Sequence, residues 1–275
     1  MGIFAKLREI ARTARNKSST SPKHLKARPP VAFDSTDLQA QSDNPPEAVL
    51  DGMRIEIGYV DASGRRTDRV ISCKRIVQAE DGERLLAFCH LRRTDRMFLL
   101  SRIEDVVDHT TGQPYQSITA FLEPFLGGDG GDDGDVLKAT RSLLVAIGDE
   151  LRILAFMAQA DHALRREEDD LVSSYMRSRA EELGHEVSAH YDHAKVTDWF
   201  RSQAPDLNVL ERAVERVAAR SEAQLGGLWQ LAATVMESDG EVTPEELDRL
   251  HELAAAIEHA MKALQSRAHL KHSDS

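Results

Sequence analysis

Nine residues divide the chain into two parts with different hydrophobic periodicity. Residues 127–135 contain only five glycines and four aspartates, so they have no apolar side chain to bury and a backbone that is costly to order. Before them, apolar and polar side chains alternate as in β-strands; after them, apolar side chains recur at helical spacing. We therefore predict an α+β multidomain chain with an acidic glycine-rich linker at 127–135.

Composition restricts the class of protein further. The 275 residues allow two domains, and the hydrophobic fraction of 41% is typical of globular proteins. The formal net charge is −11. No stretch approaches the roughly 18 apolar residues of a membrane span, and two cysteines cannot form a disulfide framework. The sequence predicts a cytoplasmic protein.

The N-terminal arm has the opposite charge from the rest of the chain. Residues 1–30 hold eight basic side chains and a single acid, and residues 1–16 have the spacing of a short amphipathic helix with a basic face. Residues 17–50 have the composition of a disordered linker. Three contacts stay open for residues 2–16: peripheral binding to the inner face of the membrane, docking on a protein surface, or nonspecific nucleic-acid binding.

Residues 51–112 have the pattern of a small antiparallel β-barrel. Ile55, Ile57 and Tyr59 alternate with polar residues, and two turn signals, 61–64 and 81–82, separate further strand-like runs. Some five short strands favour a barrel or curled sheet, because closure removes exposed edges. Residues 113–126 are predicted to form a short connecting helix.

Four arginines on this β part are candidates for binding an anion. Arg92, Arg93, Arg96 and Arg102 lie within eleven residues of an otherwise acidic chain, and guanidinium groups pair well with phosphates. Tyr59 and Phe98 could stack on a base. The alternative is that the arginines pair with Asp95, Glu104 and Asp105, and that Phe98 belongs to the core.

The β part resembles a WYL domain, a small β-barrel of bacterial regulators and phage-defence proteins. The resemblance covers about residues 50–110 and is strongest at Arg96-x-Phe98-x-x-x-Arg102-Ile103, which follows an apolar strand. Glu83 and Arg84 stand where the family has its Trp and Tyr. The resemblance implies a nucleotide or single-stranded nucleic acid as ligand, with Tyr59 and the four arginines as the binding residues.

The rest of the chain is predicted to be an all-α bundle at 136–267 with a tail at 268–275. Helical spacing covers 136–147, 150–160, 167–183, 186–200, 207–236 with a break at Gly226-Gly227, and 244–264. Residues 160–168 and 238–246 repeat one pattern, in which a helix is followed by an aspartate, an aliphatic residue and a Glu-Glu pair. The repeat predicts two helix–turn–helix units related by pseudo-symmetry.

The repeated turns carry candidate metal ligands. Asp161 and Glu168 are seven residues apart, as are Asp239 and Glu246, and two such turns together could supply four carboxylates to calcium, manganese or zinc. The alternative needs no metal: Thr243 caps a helix, and Glu246 returns a hydrogen bond to that cap. The repeat resembles the TerB-like family associated with bacterial tellurite resistance and stress response, over about 137–265. That resemblance implies that the four carboxylates form a metal-binding surface.

The sequence contains no local signature of an enzyme. Neither a nucleophile motif nor a phosphate-binding glycine loop is present. We expect a non-enzymatic, stress- or defence-associated sensing or adaptor protein, in which the WYL-like part binds an anion and the TerB-like part binds a divalent cation or a protein partner. The alternative is a structural interaction module whose acidic helical surface docks a basic partner or membrane-associated machinery without any small ligand.

Overall fold

The computed structural model describes residues 49–126, 134–159, 166–184, 191–237 and 242–273. The predicted basic helix at 1–16, nearly all of the linker at 17–50, residues 127–133 of the glycine-rich linker, and two candidate metal ligands, Asp161 and Asp239, lie outside these ranges. All described residues belong to one compact unit, residues 45–275.

A six-stranded antiparallel sheet forms the first half of this unit. The alternating pattern predicts antiparallel strands, but only some five of them, and the sixth strand lies within residues 113–126, which were predicted to be helical. The strands are β1 Arg54–Val60, β2 Arg66–Ala79, β3 Gly82–Cys89, β4 Thr94–Leu99, β5 Ile103–Asp108 and β6 Pro114–Tyr115. Their order in the sheet is β4-β3-β2-β1-β5-β6. A turn of 3-10 helix, Leu100–Arg102, leads from β4 into β5.

The sheet is strongly curled. The rings of Tyr59 on β1 and Phe98 on β4 meet edge to face, with centroids 5.2 Å apart. Two strands separate β1 from β4 in the sheet, and adjacent strands lie about 4.8 Å apart. A flat sheet would therefore keep these rings far apart. The apolar side chains on this inner face, which include Ile57, Ile71 and Leu85, are fully buried.

Strand β2 is long and bends at a bulge. Its register with β3 shifts between Cys73 and Arg75, so Lys74 has no direct partner on β3. An extra residue of this kind bends the strand and redirects the side chains beside it. The bulge lies in an interior strand of the sheet, and Lys74 and Arg75 at the bulge share a cleft with residues of the helices.

Seven helices are seen in the described part of the chain. They are α1 Ile118–Leu126, α2 Gly134–Ala158, α3 Arg166–Glu182, α4 His193–Arg201, α5 Leu207–Arg220, α6 Glu222–Glu237 and α7 Pro244–Ser273. The α+β class and the helical nature of the second half are thus as predicted. Helix α2 packs against α4, α5, α6 and α7, so it is the central helix of this half.

Two predicted helix boundaries are wrong. The predicted break near residue 148 is absent, because α2 runs continuously through Gly148. The predicted break at Gly226-Gly227 lies instead at Ser221, whose backbone is extended and whose hydroxyl accepts a hydrogen bond from the amide of Gln224. Ser221 ends α5 and caps the start of α6. Helix α6 then continues through Gly226 and Gly227.

Residues 49–53 join the sheet to the helices. Val49, Leu50 and Met53 are fully buried. Gly52 has a positive φ of 94°, and a Cβ at this position would lie 2.7 Å from Oε1 of Gln203. Its carbonyl accepts a hydrogen bond from the amide of Ala204. Glycine suits this position because any other residue would be strained at this φ and would displace the buried Gln203 side chain.

Across the described ranges, none of the helices is both long enough and apolar enough to cross a bilayer.

Candidate anion-binding site

A cleft of about 470 Å³ opens between the sheet and helices α2 and α5. Six basic side chains, two carboxylates and two aliphatic side chains line it. The lining residues are Asp51, Lys74, Arg75, Leu86, Val145, Asp149, Arg152, Arg212, Arg216 and Arg220. The cleft thus has a local excess of positive charge, although the whole chain carries a formal charge of −11. A cleft lined mainly by one sign of charge concentrates counter-ions.

The bulge in β2 supplies the sheet side of the cleft. Nζ of Lys74 lies 2.8 Å from the carboxylate of Asp95 on β4. Arg75 pairs across the sheet with Leu86. Within the described ranges, no carboxylate lies within ion-pairing distance of Arg75, whose side chain is partly exposed. Arg75 therefore offers its guanidinium group to a ligand without first breaking an ion pair.

Helix α5 supplies three arginines on one face. Arg212, Arg216 and Arg220 are four residues apart, so successive side chains lie one above the other at a rise of roughly 6 Å. We call them the arginine row. Their side chains are 38%, 45% and 43% exposed. Partial exposure leaves each guanidinium group accessible from the cleft.

Asp149 of α2 forms ion pairs with two members of the arginine row, Arg216 and Arg220. Its Oδ1 accepts a hydrogen bond from Nη2 of Arg216 at 2.7 Å, and its Oδ2 accepts one from Nε of Arg216 at 3.0 Å. It also accepts one from Nη2 of Arg220 at 3.2 Å. The paired geometry with Arg216 is the strong, bidentate form of a guanidinium–carboxylate contact. The Asp149 side chain is only 9% exposed.

A buried arginine lies behind Asp149. The Arg152 side chain is 2% exposed, and its Nη1 donates to Asp149 at 3.3 Å. Its Nε donates to the backbone carbonyl of Asp51 at 2.6 Å, and its guanidinium carbon lies 5.1 Å from the ring centroid of Trp199. Burial lowers the pKa of Arg152, and the charges of Asp51 and Asp149 oppose that shift. The carboxylate of Asp51 in turn accepts from Nη2 of Arg212 at 2.9 Å.

The comparisons with known proteins bear on the sheet side of this cleft. Residues 46–107 match the family model of the WYL domain. This segment is a WYL domain. The match confirms the WYL resemblance seen in the sequence, and it includes Asp51, Lys74, Arg75 and Leu86. The helical side of the cleft, with Asp149 and the arginine row, lies outside the match.

The other comparisons add little to the WYL match. No curated protein matches the chain. Among solved structures, the chain is similar to proteasome accessory factor B/C (PafBC) of Arthrobacter aurescens, with 13% sequence identity and a TM-score of 0.23. The similarity covers 94% of this chain and 56% of that chain, so this chain spans a little over half the length of that protein. A TM-score this low supports no conclusion about fold or function.

The five predicted ligand-binding residues of the WYL domain lie outside the cleft. Arg92 and Arg93 are exposed in the turn between β3 and β4, and Arg96 is exposed on β4. Arg102 is half-buried in the 3-10 turn, and half-buried Tyr59 packs on Phe98. Their assignment as ligand-binding residues stays a prediction.

The acids that were candidate partners of these arginines have other partners. Asp95 pairs with Lys74, and Glu104 and Asp105 pair with Arg66. Within the described part of the chain, no acid pairs with the four predicted arginines. Phe98 is 2% exposed and belongs to the core of the WYL domain, as the alternative interpretation predicts.

The predicted metal site is described only in part. Glu168 and Glu246 are both buried, at 5% exposure, whereas Asp161 and Asp239 lie outside the described residues. Glu246 accepts a hydrogen bond from the amide of Thr243 at 2.6 Å, and the Thr243 hydroxyl accepts one from the amide of Glu246 at 3.2 Å. This is the capping arrangement. The described residues contain no group of three potential metal ligands, and the four-carboxylate site stays a prediction.

Sequence reasoning missed the cleft, although part of its signal was visible. Three arginines at spacing of four on a strongly amphipathic segment indicate one basic face of a helix. The partner wall could not be inferred, because Arg75 reaches the cleft only through the bulge in β2 and Asp149 belongs to a helix 63 residues before Arg212.

Proposed function

We propose that this protein is a bacterial ligand-sensing regulator in which an anionic ligand binds in the basic cleft between the WYL domain and the helices. The single observation that carries the proposal is the composition of the cleft, six basic side chains and two carboxylates in about 470 Å³. That volume falls within the range of roughly 300–1,000 Å³ typical of small-molecule sites. The proposal assigns no catalytic step.

A phosphate-bearing ligand, such as a nucleotide, suits this cleft best. Guanidinium groups present forked donors that match phosphate oxygens, and the arginine row presents three such groups on one wall. Arg75 presents a fourth from the opposite wall, without an acidic partner among the described residues. A ligand held by both walls would contact the WYL domain and the helical half at the same time.

Contact with both halves gives a ligand a way to act on the packing of the fold. A ligand changes a conformational equilibrium only if it binds one state better than another. The cleft is built from two parts of the fold, so its shape depends on how β2 packs against α2 and α5. A ligand that bridges Arg75 and the arginine row stabilises the packed state selectively.

The remaining parts of the predicted function stay proposals for the helical half. The TerB-like assignment, with a divalent cation or a protein partner, rests on the repeated Asp and Glu residues of the sequence. We also keep the cytoplasm as the proposed location. The cleft does not depend on either statement.

Arg75→Gln tests the proposal most cleanly, because this substitution breaks no ion pair with a described residue. The probe is a fluorescent derivative of ADP, with binding followed by anisotropy and by calorimetry. Removal of one charge-assisted hydrogen bond should weaken binding roughly tenfold. The matched control is Arg65→Gln, which removes the same charge from a side chain that is 72% exposed in the β1–β2 turn.

Two outcomes would overturn the proposal. One is that neither ADP nor inorganic tripolyphosphate binds the wild-type protein at low salt. The other is that Arg75→Gln and Arg65→Gln weaken binding equally, because a general loss of positive charge would then explain the effect.

A further inference from the structure

We propose that Asp149 is an internal competitor for the ligand of this cleft. In the free protein, its carboxylate occupies hydrogen-bond donors of Arg216 and Arg220 that a multivalent phosphate takes over on binding. This inference rests on the proposed function and deepens it, because it names the residue that sets the affinity of the cleft and the class of ligand that overcomes it.

The geometry of Asp149 resembles that of a bound anion. Its two oxygens receive the Nε and Nη2 groups of Arg216 and the Nη2 group of Arg220, at 2.7 to 3.2 Å. These are the groups that would bind a phosphate at the same place. A ligand phosphate and the Asp149 carboxylate therefore compete for the same donors.

Arg152 makes the exchange feasible. A buried carboxylate left without a partner is strongly destabilising, so a ligand could not simply remove both arginines from Asp149. The Nη1 group of Arg152 also donates to Asp149, and this guanidinium group is 2% exposed behind the carboxylate. It stays in place when Arg216 and Arg220 turn towards the cleft, and it keeps Asp149 paired.

Competition with Asp149 favours ligands that carry several negative charges. A small anion such as orthophosphate gains little by replacing a carboxylate that is already in place, because it also loses translational freedom on binding. A chain of two or three phosphates can reach Arg216, Arg220 and Arg75 together, so it forms several ion pairs for a single loss of translational freedom. We therefore expect affinity to rise from orthophosphate through pyrophosphate to tripolyphosphate.

Asp149→Asn gives a combination of effects that a purely structural residue would not give. It removes one negative charge and the bidentate acceptor, so the variant should melt at a lower temperature than wild type in the absence of anion. It should nevertheless bind tripolyphosphate more tightly, by about tenfold or more, because the repulsion between two negative charges at short range is removed. The gain in affinity should be smaller for orthophosphate, because the repulsion that the substitution removes scales with the charge of the ligand.

Two controls separate charge from position. Asp198→Asn makes the same change in net charge at a side chain that is 73% exposed on α4, and it should leave the affinity for tripolyphosphate unchanged. Asp149→Glu keeps the negative charge at the cleft, and it should not tighten binding. Both proteins are measured beside wild type by calorimetry at constant salt.

The wild-type protein offers a second measurement in case Asp149→Asn does not fold. In nuclear magnetic resonance spectra of the arginine Nε–H groups, added tripolyphosphate should shift the Arg216 and Arg220 signals. Of these three cleft arginines, Arg152 should show the smallest change. Arg179, which pairs with Glu150 away from the cleft, should not respond. A spectrum in which Arg216 and Arg220 stay unshifted at saturating tripolyphosphate would overturn the inference.

The possible failures can be told apart. If wild type and Asp149→Asn both fail to bind tripolyphosphate, the proposed function is wrong and the competitor role fails with it. If wild type binds but Asp149→Asn binds equally or more weakly, the cleft remains a binding site and Asp149 is a structural residue only.

Discussion

The indole Nε1 of Trp199 donates a hydrogen bond to the backbone carbonyl of Val49 over 2.8 Å, joining helix α4 to a segment 150 residues earlier. Both residues are fully buried. Val49 precedes Asp51, whose carboxylate lines the cleft, and the Trp199 ring contacts Arg152 behind it. This bond therefore fixes the WYL domain on the helices directly beside the proposed site.

Trp199→Phe should destabilise the protein by about 1–3 kcal/mol, because it leaves the buried Val49 carbonyl without its donor. Urea unfolding followed by circular dichroism measures the change. Trp229→Phe is the matched control, since Trp229 is the other tryptophan of the chain and is also buried. If the two substitutions cost the same, the hydrogen bond to Val49 contributes nothing beyond ring packing.

Asp108→Asn should flatten the pH dependence of stability above pH 4. The Asp108 carboxylate is buried and accepts the amides of Thr110 and Thr111 at 2.8 and 3.0 Å. Burial raises its pKa above the ordinary value of 3.8, and these hydrogen bonds oppose the shift. As pH rises, the native state therefore keeps a proton on Asp108 that the unfolded state has already released. The resulting stability is present below pH 3.8 and is lost as pH rises through the native pKa.

Thermal unfolding of wild type and Asp108→Asn between pH 3.5 and 7 tests this sign. The asparagine keeps an acceptor for both amides and has no proton to lose, so its unfolding temperature should fall less as pH rises. Asp68→Asn, at a side chain that is 69% exposed on β2, should follow wild type. If the curves of unfolding temperature against pH are parallel for wild type and Asp108→Asn, Asp108 does not titrate differently in the folded state.

The sequence predicts the sheet well because each strand is a local pattern. Alternation at Ile55, Ile57 and Tyr59, followed by a turn at Asp61–Gly64, identifies β1 and its hairpin without reference to the rest of the chain. The side chain of Asp61 accepts the amides of Ser63 and Arg65 and closes that turn. Short-range rules of this kind also locate most helices.

The boundary at Ser221 shows where local rules fail. Two adjacent glycines are the stronger breaking signal by propensity, yet Gly226 is buried in α6 and the helix continues through it. Tertiary packing outweighs the propensity cost of about 1 kcal/mol per glycine. The cleft is harder still to predict, since its two walls come from segments about 140 residues apart, Arg75 and Arg216, and local sequence patterns do not report which segments meet.

Thr243→Ala should cost about 0.5–2 kcal/mol, because it removes the side-chain cap at the start of α7. Thr234→Ala is the control, at an exposed threonine inside α6 whose hydroxyl donates to the carbonyl of Gln230. Both are compared by chemical denaturation. Equal costs for the two substitutions would show that the Thr243 cap is not the source of the stability.

The same helix start allows a test of the predicted metal site. If Glu246 acts as a metal ligand with Asp239, calcium, manganese or zinc should raise the unfolding temperature of wild type, and Asp239→Ala should abolish that shift. If Glu246 acts only through its hydrogen bond to the amide of Thr243, none of the three cations should change the unfolding temperature of either protein.

The arginines predicted on the WYL domain can be separated from the cleft by salt dependence. Arg96 is exposed on β4 and Arg102 lies in the turn that follows, and no acid in the described residues pairs with them. If they bind the phosphates of a single-stranded nucleic acid, Arg96→Ala with Arg102→Ala should weaken binding of an oligothymidylate. The plot of log affinity against log salt should become shallower by about 0.7 for each phosphate that is no longer neutralised.

Arg65→Ala with Arg201→Ala removes two exposed arginines elsewhere and is the matched control, for which we expect less than a twofold change. An unchanged affinity and salt slope in the Arg96 and Arg102 variant would remove these residues from any nucleic-acid site. Arg75→Gln then decides whether the two regions share one ligand. If it weakens ADP binding but leaves the oligothymidylate unaffected, the cleft and the β4 surface bind different ligands, because a strand that crossed both would bind more weakly to either variant.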